Sequence, residues 1–224
     1  MTGLPPRDQF GALTADILWK IKAVNFKPEN PFTLTSGRLS PVYVDCRRII
    51  SFVEARRQII DMAVNLLDAE IGRAKLDAVA GGETAGIPFA AWIAEKMDKP
   101  MLYVRKKPKG FGRNAQIEGD FADGARTLLV EDLTTDSGSK IAFCKALRDA
   151  GAVVSDAFVV FHYGIFPQSV ENLRQIGVRL HALATWRDVL ASARRNKYFP
   201  EASLAEVQSF LDDPDGWQAK RAKA

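Results

Sequence analysis

Two hydrophobic patterns alternate along most of the chain. One is a short, nearly continuous apolar run, which is typical of a strand buried on both faces of a sheet. The other spaces apolar residues three and four positions apart, which is typical of an amphipathic helix. The predicted strands are LDAVAG (76–81), MLYVR (101–105), RTLLVE (126–131), VVSDAFVVF (153–161) and LHALAT (180–185). The predicted helices cover residues 8–23, 53–68, 85–97 and 139–151, with two more near 186–195 and 201–213.

This alternation predicts an α/β fold, with a mostly parallel sheet flanked by helices. Ligands of such sheets bind beyond the carboxyl ends of the strands. The prediction therefore places Gly82-Glu83-Thr84, Arg105-Lys106 and residues 131–139 along one edge. Residues 26–41 are rich in Pro, Ser, Thr and Gly, which predicts a loop with short extended pieces, and YVDCRRI (43–49) is strand-like.

Composition limits the kinds of partner. The charge is 31 − 27 = +4, and the basic residues are scattered apart from a cluster at 105–109 and a basic tail. A nucleic-acid binder usually concentrates its charge more heavily, so a small anionic substrate is sufficient to explain the cluster. Two cysteines and two histidines argue against a structural zinc site and favour a reducing compartment. With no signal-peptide core and no long apolar run, we expect a cytoplasmic protein that does not contact a membrane.

The stretch VEDLTTDSGSK (130–140) combines acids with a hydroxyl-rich turn. Its turn precedes a predicted helix, where free backbone N–H groups and the helix dipole favour an anion. Thr134, Thr135, Ser137 and Ser139 add hydroxyl donors, and the stretch matches neither a Walker A loop nor a dinucleotide-binding turn. These features predict a pocket for one phosphate.

Two carboxylates, Glu131 and Asp132, directly precede this pocket. Carboxylates at a strand end can accept hydrogen bonds from sugar hydroxyls or help to hold a divalent cation through water. A ribose 5-phosphate needs both features within a few ångströms. The competing interpretation is an ordinary strand–turn–helix in which Asp136 or Ser137 caps the helix.

A basic loop follows the strand at 101–105. Arg105, Lys106, Lys107 and Lys109 precede glycines 110 and 112. A charge run is usually a solvated surface, but one that leaves a strand end and enters a glycine-hinged loop suits a mobile lid. Preorganised cations there would stabilise the negative charge that grows on a departing pyrophosphate.

Four segments of the chain resemble a known family. LLVEDLTTDSGSK is similar to the phosphoribosyl-pyrophosphate (PRPP) signature of type I phosphoribosyltransferases. FTLTSGRLSPVYVD (32–45), GGETAGIP (81–88) and YVRKKPKGFGRNAQIEG (103–119) resemble, in the same order, segments of the orotate phosphoribosyltransferase family. The family's fold implies an N-terminal hood (1–50, with a possible contribution from the C-terminal segment), a PRPP-binding core (51–195) and a C-terminal helix with a basic tail (196–224).

The resemblance also implies roles for individual residues. Arg105, Lys109 and Asp132 are the implied catalytic residues. Thr135 and Tyr43 are the implied orotate contacts. The implied PRPP-binding residues are Glu83, Thr84, Arg105, Lys106, Lys109, Phe111, Glu131, Asp132, Leu133, Thr134, Thr135, Asp136, Ser137, Gly138 and Ser139.

The implied reaction converts orotate and PRPP to orotidine 5′-monophosphate and pyrophosphate in pyrimidine biosynthesis. Mg²⁺ would be held mainly by PRPP and water, with no dedicated protein ligand set. Lid cations that reach the neighbouring subunit's site would require a homodimer.

Several positions depart from the family's common pattern. Phe111 stands where many members have histidine, and Ser137 stands where glycine is common. The other departures are Thr35, Ala85 and His162-Tyr163. These changes leave the residue that recognises the orotate carboxylate open, with Arg38, Arg47 and the weaker Lys27 as candidates.

Two other functions remain open from the sequence. One is a phosphoribosyltransferase for another base, against which the SGRLSP segment and the basic loop count. The other is a PRPP-sensing regulator without catalytic activity. The chain keeps its loop cations and has no helix-turn-helix pattern before the fold, which counts against a sensor.

Overall fold

A six-stranded sheet is the centre of the fold. The computed structural model describes residues 5–34, 37–109 and 116–221. The sheet has the strand order β10-β9-β8-β5-β6-β7 and is parallel except for the β6–β7 pair. Its strands are β5 (Ala78–Gly82), β6 (Met101–Val104), β7 (Ile117–Glu118), β8 (Arg126–Thr134), β9 (Val153–His162) and β10 (Arg179–Thr185). The predicted mostly parallel sheet is confirmed.

Eight α-helices occur among the described residues, and they flank this sheet or follow it. They are α1 (Phe10–Lys20), α2 (Val53–Glu70), α3 (Gly86–Met97), α4 (Gly138–Asp149), α5 (Gln168–Gln175), α6 (Trp186–Arg195), α7 (Glu201–Asp212) and α8 (Pro214–Arg221). Short 3-10 helices cover Arg7–Gln9, Cys46–Ser51 and Arg73–Lys75. None of the helices in this part of the chain is long and apolar enough to cross a membrane.

Hydrophobic periodicity located most of these elements. Gly151 ends α4 with a φ of 102°, and Pro88 is the third residue of α3, where its missing N–H costs no helical hydrogen bond. The predicted strand at 43–49 is wrong beyond Val44, because Asp45 accepts a hydrogen bond from the Arg47 amide and begins a 3-10 turn. The pattern gave no prediction of α5 or α8.

Two small antiparallel pairs form the N-terminal region. β1 (Val24–Phe26) pairs with β4 (Val42–Val44), and β2 (Phe32–Thr33) pairs with β3 (Leu39–Ser40). Buried side chains of this region, of one face of the sheet and of α7–α8 belong to one continuous hydrophobic cluster. The division at residues 50 and 195 stays a prediction.

Candidate active site

The carboxyl ends of β5, β6, β8 and β9 meet at one edge of the sheet, because these strands are parallel neighbours. This edge carries the residues that the sequence placed there. Glu83 follows β5, and its amide donates to Val104 O at 2.8 Å, so the first two strand ends are tied together. Its carboxylate accepts a 2.6 Å hydrogen bond from the Lys106 amide. The Glu83–Thr84 peptide bond is cis.

The hydroxyl loop (residues 134–139) joins β8 to α4. Asp136 Oδ1 accepts from the Gly138 amide at 3.1 Å and so satisfies the first backbone N–H of the helix, whereas the N-cap residue Ser137 makes no side-chain cap bond. Ser137 adopts a left-handed backbone conformation, with a φ of 70°. This conformation turns the loop sharply at the helix N-terminus, where the first backbone amides can receive an anion.

The hydroxyls of this loop divide into two groups. Ser137 is buried, and its Oγ donates to Ser169 O at 2.7 Å, while Thr134 Oγ1 lies 3.3 Å from Ser137 Oγ. These two hydroxyls therefore hold the loop to the N-terminal turn of α5. Thr135 is half-buried and Ser139 is exposed, so their hydroxyls are the ones available to a ligand.

Glu131 lies on the face of β8 that is covered by α4. Its Oε2 is 3.8 Å from Lys140 Nζ, and its Oε1 is buried without a hydrogen-bond partner among the described residues. A Cβ added at Gly82 would lie 2.0 Å from Oε1, and one added at Gly86 would lie 3.0 Å from it. Burial raises the pKa of Glu131 to about 8, against the opposing pull of Lys140. Burial likewise lowers the pKa of Lys140.

Asp132 points to the opposite face of β8, because successive strand residues alternate. Burial raises its pKa, opposed by the backbone amide of Leu133 and by the charges of Lys140 and Arg47. The sequence predicted that the strand ends at Glu131, but β8 continues to Thr134 and that boundary is wrong. The two adjacent acids are thus both buried, one facing α4 and the other facing the 3-10 turn at 46–51.

The described part of the basic loop folds back on β7. Arg105 Nη1 lies 3.4 Å from Glu118 Oε1, and Lys109 also pairs with this carboxylate. The Lys109 contact lowers the pKa of Glu118. The backbone N–H of Arg105 donates to the carbonyl oxygen of Gln116 at 2.8 Å. The predicted PRPP contact Phe111 lies outside the described residues, as does Thr35.

A cavity of about 330 Å³ opens between the N-terminal region and the hydroxyl loop. Thr135 lines it, so the cavity adjoins the predicted phosphate site. Its walls are largely apolar, which suits a flat ring, with a few polar groups that could orient one. The lining residues are Leu34, Arg38, Leu39, Ser40, Thr135, Asp136, Tyr163, Ile165, Phe166, Gln168, Ser169, Asn172 and Phe210.

The three candidate cations for a carboxylate differ in their positions. Arg38 lines the cavity. Arg47 donates to Asp45 at 2.7 Å, and Lys27 Nζ lies 4.9 Å from the centre of the Phe32 ring. Neither Arg47 nor Lys27 lines the cavity.

Tyr43, the other predicted orotate contact, is half-buried. Its ring centre lies 5.6 Å from that of Phe32, at an interplanar angle of 42°. Tyr43 does not line the cavity, and its role stays a prediction.

Sequence reasoning missed two groups at this site. Lys140 is buried beside Glu131, and the lysine that ends VEDLTTDSGSK was the available signal. Phe210 comes from α7, some 70 residues further along the chain than the hydroxyl loop, and it carries no sequence signal that distinguishes it from a core residue.

The donor set constrains any metal. Within 5–34, 37–109 and 116–221 no cluster of three or more His, Cys, Asp or Glu side chains could hold an ion. Asp132 and Glu131 are nevertheless buried acids at the strand edge, and Glu131 Oε1 has no partner among these residues. These donors fit an ion that keeps most of its ligands from substrate and water.

Comparisons with known proteins agree with this geometry. The chain is 54% identical over 224 residues to orotate phosphoribosyltransferase from Cereibacter sphaeroides, covering 100% of this chain and 96% of the relative. The solved enzyme from Aeropyrum pernix matches with a TM-score of 0.70 and 32% identity, over 83% of this chain and 99% of that one. The Mycobacterium tuberculosis orotate phosphoribosyltransferase in complex with PRPP matches with a TM-score of 0.63 and 25% identity, over 83% and 99%. No family model matches the chain.

The parallel sheet, the acids at its edge and the hydroxyl loop define a type I phosphoribosyltransferase, a pentosyl-transferring enzyme. The similarity to the curated relatives over the full chain then identifies the family within this class. The chain belongs to the orotate phosphoribosyltransferase family, whose members act in pyrimidine biosynthesis.

Proposed function

We propose that this chain transfers the phosphoribosyl group of PRPP to orotate, giving orotidine 5′-monophosphate and pyrophosphate. The observation that carries the proposal is the position of Thr135, which belongs both to the hydroxyl loop and to the lining of the adjoining cavity. The loop would bind the 5-phosphate and the cavity would bind the flat base, so that the ribose that links them lies between the two sites.

Different residues bind different parts of the PRPP molecule. The helix N-terminus, with the Thr135 and Ser139 hydroxyls, receives the 5-phosphate. Asp132 acts on the ribose side of the edge, where a carboxylate accepts hydrogen bonds from hydroxyls and stabilises positive charge at C1. Glu131, which its raised pKa keeps protonated near neutral pH, is a hydrogen-bond partner for the ribose hydroxyls. Arg105 and Lys109 stabilise the departing pyrophosphate by preorganised charge. Little covalent chemistry is required of the protein, so positioning and electrostatics supply the rate.

Mg²⁺ belongs to this proposal as the ion of PRPP. When bound, it would neutralise part of the pyrophosphate charge. Asp132 is the chain's candidate for a water-mediated contact, since it is a buried acid at this edge of the sheet.

Arg38 is the proposed contact of the orotate carboxylate. It lines the cavity, and a guanidinium can pair with a carboxylate in a bidentate manner. Its side chain is 42% exposed and pairs with Asp215, but five N–H donors leave capacity for a second acceptor.

A homodimer with exchanged basic loops is a further part of the proposal. Its support is the position of Arg105, Lys106 and Lys109 directly after β6, at the strand edge that carries the candidate site. Two inactive variants, Lys109→Ala and Asp132→Asn, should regain activity when their subunits are mixed. If each active site uses only its own loop, the mixture stays inactive.

A cytoplasmic location completes the proposal, and the support is that Cys46 and Cys144 are free buried thiols.

The decisive assay follows the loss of orotate absorbance with PRPP and Mg²⁺, with adenine, guanine and uracil as alternative bases. Consumption of orotate alone supports the proposal. Consumption of another base in its place overturns the specificity, and PRPP binding without any turnover indicates a sensor.

A further inference from the structure

Helix α8 is anchored on one side by a buried tryptophan. Trp217 is 3% exposed, and its ring meets that of Phe210 edge-on at 5.2 Å. Its indole N–H donates to Glu206 Oε1 at 2.7 Å. Since Glu206 and Phe210 both belong to α7, these contacts join α7 and α8 into one unit, the C-terminal helix pair.

A second face of α8 meets the N-terminal region. Asp215, Gln218 and Arg221 are spaced three residues apart, which places them on one side of a helix. Asp215 pairs with Arg38, and Arg221 donates to the carbonyl of Pro28. Between them, Gln218 Oε1 accepts the backbone N–H of Leu39 at 3.0 Å. Three successive polar contacts thus connect α8 to Pro28, Arg38 and Leu39.

The segment held by this face forms one wall of the cavity. Arg38, Leu39 and Ser40 are consecutive lining residues, and Phe210 of α7 lines the same cavity from the C-terminal side. The hydroxyl loop, by contrast, is held by Asp136 and by the Ser137–Ser169 bond. The C-terminal helix pair therefore acts on the cavity and not on the phosphate site.

We propose that the C-terminal helix pair is part of the base-binding site: Phe210 closes the cavity, and Gln218 positions the Arg38–Ser40 wall through the Leu39 amide. This inference rests on the proposed function, because it takes the cavity to be the orotate site. Gln218 does not line the cavity, so it is a positioning residue. Losing it frees the wall without removing any group that touches the base.

The size of the effect follows from one hydrogen bond. A net contribution typical of a single backbone–side-chain bond corresponds to roughly a 3- to 10-fold change in an equilibrium constant. We expect Gln218→Leu to raise the KM for orotate by this factor. The KM for PRPP should change little, since the phosphate site has its own supports.

Two further variants separate positioning from general stability. Gln218→Glu keeps an acceptor oxygen for the Leu39 amide and should restore the wild-type KM for orotate. Gln208→Leu makes the same side-chain change on α7, where Gln208 donates to Asp212 at 3.0 Å within the same helix, and should leave both KM values unchanged. The thermal midpoint of each full-length variant identifies any loss of folding.

The possible results of these measurements distinguish the inference from the proposed function. A rise in the KM for orotate that is specific to Gln218→Leu and reversed by Gln218→Glu supports the inference. Equal effects of Gln218→Leu and Gln208→Leu, or a parallel rise in the KM for PRPP, overturn it while leaving the proposed function intact. If the wild-type chain does not consume orotate, both the proposed function and this inference fail.

Discussion

Replacing Glu131 by glutamine should change how stability depends on pH. The carboxylate is buried, its Oε1 lacks a partner among the described residues, and burial raises its pKa from 4.5 to about 8. Between pH 4.5 and about pH 8, the folded chain therefore keeps a proton on Glu131 that the unfolded chain has released. Wild-type stability falls as pH rises through this window, because the folded state binds more protons there.

The size of this effect can be worked from the two pKa values. A rise from 4.5 to about 8 corresponds to about 5 kcal/mol that the folded state loses when the carboxylate must ionise. Glutamine has nearly the same shape and no charge to ionise, so Glu131→Gln escapes this loss. Burial also lowers the pKa of Lys140, and removal of the neighbouring carboxylate lowers it further, which adds stability to the variant as pH rises.

Chemical denaturation of the unliganded wild type and variant between about pH 5 and about pH 9 measures the difference. The free energy of unfolding of Glu131→Gln, relative to wild type, should increase by about 4 kcal/mol over this range, which spans about three of the pKa units. Glu95→Gln is the matched control, because Glu95 is exposed on α3. A relative stability of Glu131→Gln that stays constant over this range would refute the reasoning.

Three more predictions test other parts of the molecule. Lys109→Ala should reduce kcat far more than it weakens PRPP binding; equal losses in kinetics and in equilibrium binding would argue against a transition-state role. Arg38→Ala should raise the KM for orotate about ten-fold or more, as expected for a charged hydrogen bond, whereas Lys27→Ala should not; equal effects would remove Arg38 as the carboxylate contact. His181 lies 2.5 Å from Glu70 Oε2 and 2.8 Å from Asp156 Oδ1, and these partners raise its pKa above 6.5 despite burial. The stability advantage of wild type over His181→Gln should therefore be full below about pH 6.5 and shrink as pH rises through the raised value, and denaturation curves that show it growing would contradict this assignment.

The sequence by itself determined the sheet and the edge on which the chemistry gathers. Apolar runs such as 128–130 and 157–161 are stable when both faces are covered, which favours a parallel sheet with helices on either side. Parallel strands then bring their carboxyl ends together. The acids and the hydroxyl loop were consequently expected on the same edge as Glu83 and Arg105.

Only the tertiary structure decided how these groups are used. The alternation along β8 separates Glu131 from Asp132, but this became clear only once the strand was seen to continue to Thr134. The inward bond of Ser137 depends on Ser169, 32 residues away, and so its hydroxyl could not be assigned from the loop alone.

The C-terminal helix pair is the clearest case of a feature that the sequence left undetermined. Helical spacing predicted a helix over 201–213, and only the family resemblance implied a possible contribution of the C-terminal segment to the N-terminal region. The bond between Gln218 and Leu39 joins residues 179 positions apart. Local periodicity determines which face of an element is buried, whereas the partner of that face is decided by the packing of the whole chain, which no short stretch of sequence contains.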